Sequence, residues 1–345
     1  EKEPARTTYA YDTMDRLTRV VAKDGTATVY EYDENGNRKT ATFANGVKTT
    51  YEYDALNRLL VQKTVDSTGE LIAKYKYTTG KNGERTGILE EGRTGRTETE
   101  YGYDAAGRLT EEKTTTTEED GGKTETTYAY AYDAAGNRIR KMEETDGTAV
   151  TTGYTYNSRN QLVTEETDGE ETSYAYDANG NLLEKAGPAA SEEYTYDVDN
   201  RLSTYVAGHG DKQETYAYDA EGVRRSKTSQ DGKQETSTVF LSDTSGELSR
   251  TLAETDGDGT LLAAYTWGDT LVSQTRAGKT SGYLYDGHGN VRGLLDGEGN
   301  LTDAYSYNAY GELTRRTGGT ENHYLYTGEY YDGVSGLYYL RARYM

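Results

Sequence analysis

The chain has no cysteine, two prolines, two phenylalanines and one tryptophan in 345 residues. Without cysteine, disulfides contribute nothing to stability and thiol chemistry is excluded, while the redox compartment stays open. With proline confined to Pro4 and Pro188, nearly every backbone N–H can join a hydrogen-bond ladder, as extended sheets require. No apolar run approaches the roughly 18–20 residues of a membrane-spanning helix, so no membrane span is expected. Nothing in Glu1–Arg6 reads as a signal peptide. The chain also lacks an initial Met, as a segment of something longer would.

Basic charge is short as well. There are 59 acidic against 38 basic residues, a formal net charge of -21. Phosphate binding needs clustered Lys and Arg, so nucleic acid is not expected as a surface partner. Aliphatic residues are scarce too. Leu, Ile, Val and Phe together are 45 of 345, or 13%, which with this net charge falls in the range usually read as disordered. The 35 tyrosines decide against disorder. A tyrosine ring buries much apolar area while its hydroxyl stays hydrogen-bonded, so a tyrosine-built sheet can be stable with one wet face.

Those tyrosines are phrased. YAYD stands at Tyr9–Asp12 and YEYD at Tyr30–Asp33 and Tyr51–Asp54. The phrase recurs from Tyr75, Tyr101, Tyr130, Tyr154, Tyr174, Tyr194, Tyr216, Tyr283, Tyr305 and Tyr324, at spacings of 19 to 29 residues apart from one long gap. Two degenerate copies fill the gap, around Phe240 (TVFLSD) and Tyr265 (YTWGD). A period of twenty-odd residues predicts a repeat architecture, in which the array rather than one pocket is the unit of function.

Each repeat reads as one hairpin. Tyr130 and Tyr132 are two apart and so share a face of a strand. Asp133 starts a turn and caps backbone two residues on, Gly136 supplies the positive φ, and Asn137 completes the turn. Arg138 opens the return strand and is expected to partner cross-strand carboxylates. Asp146-Gly147 is a two-residue hairpin signal. The same grammar places Tyr30, Tyr32, Asp33 and Gly36 in one repeat, and Tyr174, Tyr176, Asp177 and Gly180 in another. YDALNRL (Tyr53–Leu59), YDVDNRL (Tyr196–Leu202) and YNSRNQL (Tyr156–Leu162) put Asn at the glycine position, where it tolerates left-handed backbone. DG pairs at Asp24, Asp168, Asp231, Asp256 and Asp296 mark the other hairpin ends. About fifteen such hairpins predict an all-β fold, with about thirty strands spaced roughly 4.8 Å apart. Twist would roll so wide a sheet into a coiled, barrel-like wall.

These residues resemble the Rhs and tyrosine-aspartate (YD) repeat family. It includes bacterial polymorphic toxins, wall-associated proteins of Gram-positive bacteria and the shell domain of teneurins. The C-terminal stretch carries the resemblance furthest: SGYLYDGHGNVRGLLDGEGN (Ser281–Asn300), YSYNAYGEL (Tyr305–Leu313) and NHYLYTGEYYDGVSGLYYLRARYM (Asn322–Met345). It looks like the core that closes Rhs repeat regions, with Tyr285, Asp286, Gly289 and Asn290 in its first turn. Tyr331, Asp332, Gly336, Leu337, Tyr338, Tyr339, Arg341 and Arg343 follow in its last stretch. On this reading residues 1–280 are the YD array, degenerate at about 238–275, and residues 281–345 the core segment. The resemblance implies a β-sheet shell that encloses or presents a C-terminal toxin or other polypeptide, in a secreted or surface bacterial protein. In many members a self-cleaving aspartyl protease and a toxin follow this core, and this sequence stops at Met345.

No catalytic, cofactor or metal site is expected. His209, His288 and His323 do not form a ligand spacing, and His288 sits in the GHGN turn. DGDGT at Asp256 faintly resembles a calcium loop but lacks its ligand pattern and closing Glu. No phosphate loop, nucleophile elbow or zinc motif is present. Trp267 and Phe240 are expected to fill wall positions in the degenerate repeats. Two other readings stand beside the non-enzymatic shell. One is an adhesin whose tyrosine-lined surface binds cell-surface glycans or a receptor. The other is a self-cleaving toxin whose protease lies downstream.

Overall fold

The structure, a computed structural model, describes residues 6–93, 95–188 and 190–345; Pro4 and the Glu1–Ala5 stretch lie outside them. These residues form thirty strands and two single turns of 3-10 helix, Gly208–Gly210 and Tyr326–Gly328. Strand accounts for 60% and helix for 2%, as the alternating tyrosines predict. Among the described residues no helix is long and apolar enough to cross a membrane. Twenty-eight strands belong to one antiparallel sheet, and Tyr330–Asp332 with Leu337–Tyr339 makes a separate two-stranded one. No closed barrel forms among the described residues.

The hairpin at Asp133 shows how sequence sets register. Lys123–Tyr132 runs against Arg138–Thr145, with Tyr130 opposite Lys141 and Ala131 opposite Arg140. The register then slips, and Tyr132 faces Arg138. The turn forces the slip. Asp133 N–H donates to the Asn137 carbonyl at 2.9 Å, Gly136 N–H donates to the Asp133 carbonyl at 3.2 Å, and Gly136 has φ 93°. This is a type I turn closed by a left-handed residue in a bulge, a conformation a Cβ resists. Asn57, Asn160 and Asn200 hold the same place with φ 59°, 59° and 61°. Along the strands, Tyr30 and Tyr130 are buried, Glu31 and Ala131 between the pairs are exposed, and Tyr32 and Tyr132 are half-buried. The paired tyrosines therefore lie on one face.

The DG ends divide into kinds. Asp146-Gly147 and Asp168-Gly169 are two-residue loops with both residues left-handed (φ 48° and 83°, 52° and 82°). They sit between the paired residues Thr145 and Thr148, and Thr167 and Glu170. Asp256 and Asp296 instead open turns like that at Asp133, closed by Gly259 and Gly299 (φ 85° and 89°). Gly25 closes a turn that starts at Ala22, and Gly232 follows an Asp231 still paired to Gln234.

Two compact units arise. The first holds the described residues up to Gly102, Glu112–Glu125 and Ala264–Gly328. Its core contains Leu17, Val20, Tyr30 and Ala41 in one cluster and Val47, Ile72, Leu284 and Leu295 in another. Tyr265 and Trp267, from a degenerate repeat, pack edge-on against Tyr324 at 5.2 and 5.7 Å. The second unit holds Tyr103–Glu111, Thr126–Ala263 and Glu329–Met345. Its core joins Tyr194, Leu202, Tyr205, Ala207 and Tyr216. The Tyr194–Tyr205 edge contact at 5.5 Å adds about 0.5–1.5 kcal/mol beyond the area buried.

Candidate functional site

Within the repeat, the turn carboxylates bind their own turns. The Asp133 carboxylate accepts from Asn137 N–H at 2.8 Å and from the Asn137 side-chain amide at 2.8 Å. Asp33 with Asn37 and Asp177 with Asn181 repeat this. Where Arg stands at the Asn position, its guanidinium binds the same Asp: Arg16 to Asp12, Arg58 to Asp54, Arg108 to Asp104 and Arg201 to Asp197, all at 2.6–2.7 Å. The hydrogen bonds from Asn37 and Asn137 hold Asp33 and Asp133 below the ordinary carboxylate range. At Asp177 burial opposes the shift, and the Asn181 hydrogen bonds outweigh it. Gly36, Gly136 and Gly180 all have φ near 90°. Arg138 stacks its guanidinium over the Tyr154 ring at 4.9 Å and the Tyr130 ring at 5.7 Å. Tyr174 donates to the Glu165 carboxylate at 2.9 Å.

The second tyrosine of the pair has a role the sequence does not show. Its hydroxyl donates to the backbone carbonyl that opens the previous hairpin's return strand. Tyr32 binds Leu17, Tyr53 binds Arg38, Tyr132 binds Leu109 and Tyr156 binds Arg138. Tyr218 binds Leu202, Tyr285 binds Leu271 and Tyr307 binds Val291, all seven at 2.6–3.0 Å. At these seven junctions a hairpin is thereby stapled to the one before it, while the Tyr77 hydroxyl accepts from Gly287 N–H instead.

A buried polar cluster lies in the second unit, where the last stretch of chain meets the return strand at Arg224. Arg224, 2% exposed, pairs with Asp332, 0% exposed. Lys227 reaches the other Asp332 oxygen at 2.7 Å and Glu214 at 3.4 Å. Glu214 also accepts from Ser229 at 2.8 Å, Tyr216 at 2.7 Å and Ser335 N–H at 3.1 Å. Burial works to raise the Asp332 carboxyl, but Arg224 and Lys227 outweigh it and hold it below the ordinary range. Aromatic rings enclose the guanidinium: Tyr339 at 4.2 Å, Phe240 at 4.7 Å and Tyr330 at 4.8 Å. Tyr339 also accepts from Arg224 N–H at 3.0 Å.

The other core-motif residues brace this segment. Asp332 N- and C-terminal neighbours form the small hairpin, with Tyr331 opposite Tyr338 and Leu337 opposite Asp332. Gly336, at φ 73°, donates its N–H to the Asp332 carbonyl at 2.8 Å. Arg341 grips both oxygens of Glu329 at 2.8 and 2.9 Å. Arg343 has an exposed side chain and accepts the Leu340 N–H on its carbonyl at 2.8 Å. In the first unit, Asp286 caps its turn through His288 N–H and Asn290, and it meets Arg292 at 3.2 Å. Gly289 closes that turn at φ 88°, and Arg292 also pairs with Glu90.

Among the cavities bounded by described residues, these two are lined by tyrosine. The first unit has one of about 420 Å³ bounded by Tyr30, Tyr51, Tyr283, Tyr285, Arg38 and Gln62. The second unit has one of about 310 Å³ bounded by Tyr176, Tyr194, Tyr218, Tyr344, Arg201 and Arg343. Arg224, Lys227, Glu214, Ser229 and Ser335 were not singled out from sequence. One signal existed: Glu214 sits two residues before Tyr216, and so on its face of the strand. Arg224 occupies the return-strand slot that Arg38 and Arg138 fill. The chemistry available here is charge neutralisation and anchoring. The carboxylates of the cluster are occupied by cations and by hydroxyl and backbone donors, which suits a latch rather than proton transfer.

Comparison with known proteins agrees with this repeat reading. The family described as Teneurin YD-shell matches residues 85–343, and that described as RHS Repeat matches residues 15–46 and 32–71. The chain is 34% identical over 240 residues to the tRNA3(Ser)-specific nuclease WapA of Bacillus spizizenii and to the tRNA nuclease WapA of Bacillus subtilis strain 168. That stretch is 66% of this chain and 9% of each relative, so the chain spans less than a tenth of the curated relatives it matches. Among solved structures, the TcdB2-TccC3-Cdc42 complex superposes with a TM-score of 0.48 at 17% identity, over 92% of this chain and 20% of that one. A Photorhabdus luminescens Tc holotoxin pore gives 0.48 at 17% identity, over 93% and 19%.

Proposed function

Since the chain belongs to the YD-shell family of RHS-repeat proteins, we propose that it is a non-enzymatic wall segment of a secreted or surface bacterial protein, enclosing or presenting a C-terminal toxin or other polypeptide. The observation that carries this reading is where the charged groups go. Turn carboxylates bind their own turns, and the buried charges of the last stretch bind one another. Catalysis needs a few groups converging on a substrate with perturbed proton affinity, and here the perturbed groups have structural partners instead. The net charge of -21 disfavours nucleic acid, and the nuclease activity in the relatives' names would belong to sequence outside this array. Residues 281–345 act on this reading as the closing core of the array.

The test fuses an unstructured reporter peptide after Met345 and follows its digestion by a broad protease. Protection relative to the free peptide is expected, with no discrete self-cleavage on prolonged incubation. Digestion at the free rate overturns enclosure. Cleavage products abolished by substituting a single Asp overturn the non-enzymatic reading. The tyrosine-lined cavity beside Arg38 favours a second reading, the glycan- or receptor-binding adhesin. Retention on a glycan array, lost in Arg38→Ala, would support it.

A further inference from the structure

The tyrosine-lined cavity of the first unit holds a donor that no described residue satisfies. In the turns at Asp12, Asp54, Asp104 and Asp197 an Arg four residues on takes the carboxylate, but at Asp33 that place belongs to Asn37. Arg38 comes one residue later, and its side chain joins the cavity wall instead. It stacks over the Tyr30 ring at 4.7 Å and pairs through Nη2 with the exposed Asp269. Its Nε–H is buried and has no acceptor among the described residues. Leaving a buried donor so costs about 1–3 kcal/mol, which favours an occupant that accepts from it. Gln62, also in the lining and 3% exposed, donates its side-chain amide to the Tyr285 carbonyl at 2.5 Å, and its amide oxygen is left to accept. The rings are fixed by their own hydroxyls. Tyr32 binds Leu17, Tyr53 binds Arg38, Tyr285 binds Leu271 and Tyr283 binds Asn322, all at 2.8–3.0 Å.

We propose that this cavity binds one neutral hexopyranose unit of a glycan, one sugar hydroxyl accepting from Arg38 Nε–H and another donating to Gln62 Oε1. The inference goes beyond the wall role and rests on the glycan-binding reading of the same cavity. At about 420 Å³ the space is of the size that ligand sites have. Tyrosine rings offer apolar surface to the C–H face of a pyranose, and rings already fixed lose little freedom on binding. An apolar occupant would leave Arg38 Nε–H unpaired, so hydroxyls are required. An acidic sugar is disfavoured, because Asp269 already neutralises the guanidinium, Asp286 stands in the lining and the chain carries a net charge of -21. The cavity of the second unit has similar residues but a spent donor: Arg201 Nε–H binds Asp197 at 2.7 Å. Binding is therefore assigned to the first unit.

The test titrates the full chain with methyl glucopyranoside, methyl galactopyranoside and their two uronate counterparts, followed by saturation-transfer NMR. Saturable binding of a neutral pyranoside, tighter than its uronate, is expected. Arg38→Lys keeps a cation beside Asp269 and Tyr30 but removes the Nε donor, and should weaken binding at least about tenfold with an unchanged melt. Gln62→Leu, which removes the acceptor, should weaken it likewise and gives a second reading should Arg38→Lys melt low. Arg140→Met, at an exposed position of the second unit, should bind as the wild type does. Tighter binding of the uronates overturns the neutral-sugar inference and leaves the glycan-binding reading standing. No saturable signal from any of the four overturns the inference, whereas the adhesin reading falls only on a blank glycan array. Binding unchanged in both Arg38→Lys and Gln62→Leu overturns the assignment to this cavity.

Discussion

Asp332 has two cations within reach and no water-facing surface, so its removal leaves more than a lost contact. Asp332→Ala strands Arg224 and part of Lys227's charge among aromatic rings, and breaking a buried pair in this way costs about 3–5 kcal/mol. Replacing both partners, Arg224→Met with Asp332→Leu, should cost much less, since Lys227 keeps Glu214. Chemical denaturation of the two variants checks this: equal midpoints would mean that the pair is not what holds the segment. At this scale the sequence was half legible. The repeat phrase marks Asp, Gly and Tyr by position, and Asp332 stands in a motif. Its partner Arg224 lies 108 residues away in a slot that looks like any other return strand. The carbonyls that receive the second tyrosines bear no side-chain signature at all, so spacing cannot point to them.

The hairpin turn is the element that ties stability to pH. Asp133 is held low by the Asn137 side chain and by backbone N–H groups, and Asp54 by the backbone and guanidinium of Arg58. Their folded values lie below the unfolded one near about 3.9. Their contribution is therefore full above that value and lost as pH falls through the depressed folded values. Thermal stability should be level between about pH 5 and 8 and should drop below about pH 4. Asn already serves as this cap at Asn157 and Asn308, each accepting two backbone N–H groups. Asp133→Asn should keep the turn but melt somewhat below the wild type at neutral pH, and lose less on acidification. A melting curve that steepens in acid, or does not change its slope, contradicts that. Strands and turn tips were plain in the sequence because period-two tyrosines and D-x-x-G phrases are local. The kind of DG turn was not, because a second glycine two residues on, as in DGDG and DGEG, converts the loop.

At the scale of the whole chain, the last stretch packs on aromatic residues of the array within each unit. Tyr324 packs on Tyr265, Trp267 and Tyr283 in the first unit, and Tyr330 packs edge-on against Phe240 in the second. Deleting residues 322–345 should uncover those rings and the charges around Arg224. A lower and broader melt with dye binding to apolar surface is expected, and an unchanged melt would remove the closing role. The staple has a different consequence for how such arrays change over generations. Each such junction uses a hydroxyl from one hairpin and a backbone carbonyl from the last, and the carbonyl is the same whatever residue supplies it. A tandem duplication or an unequal exchange that inserts or removes a whole hairpin recreates the same junction on both sides. Copy number can then drift in whole hairpins with no compensating substitution, while a gain or loss of part of one breaks the alternation and is purged.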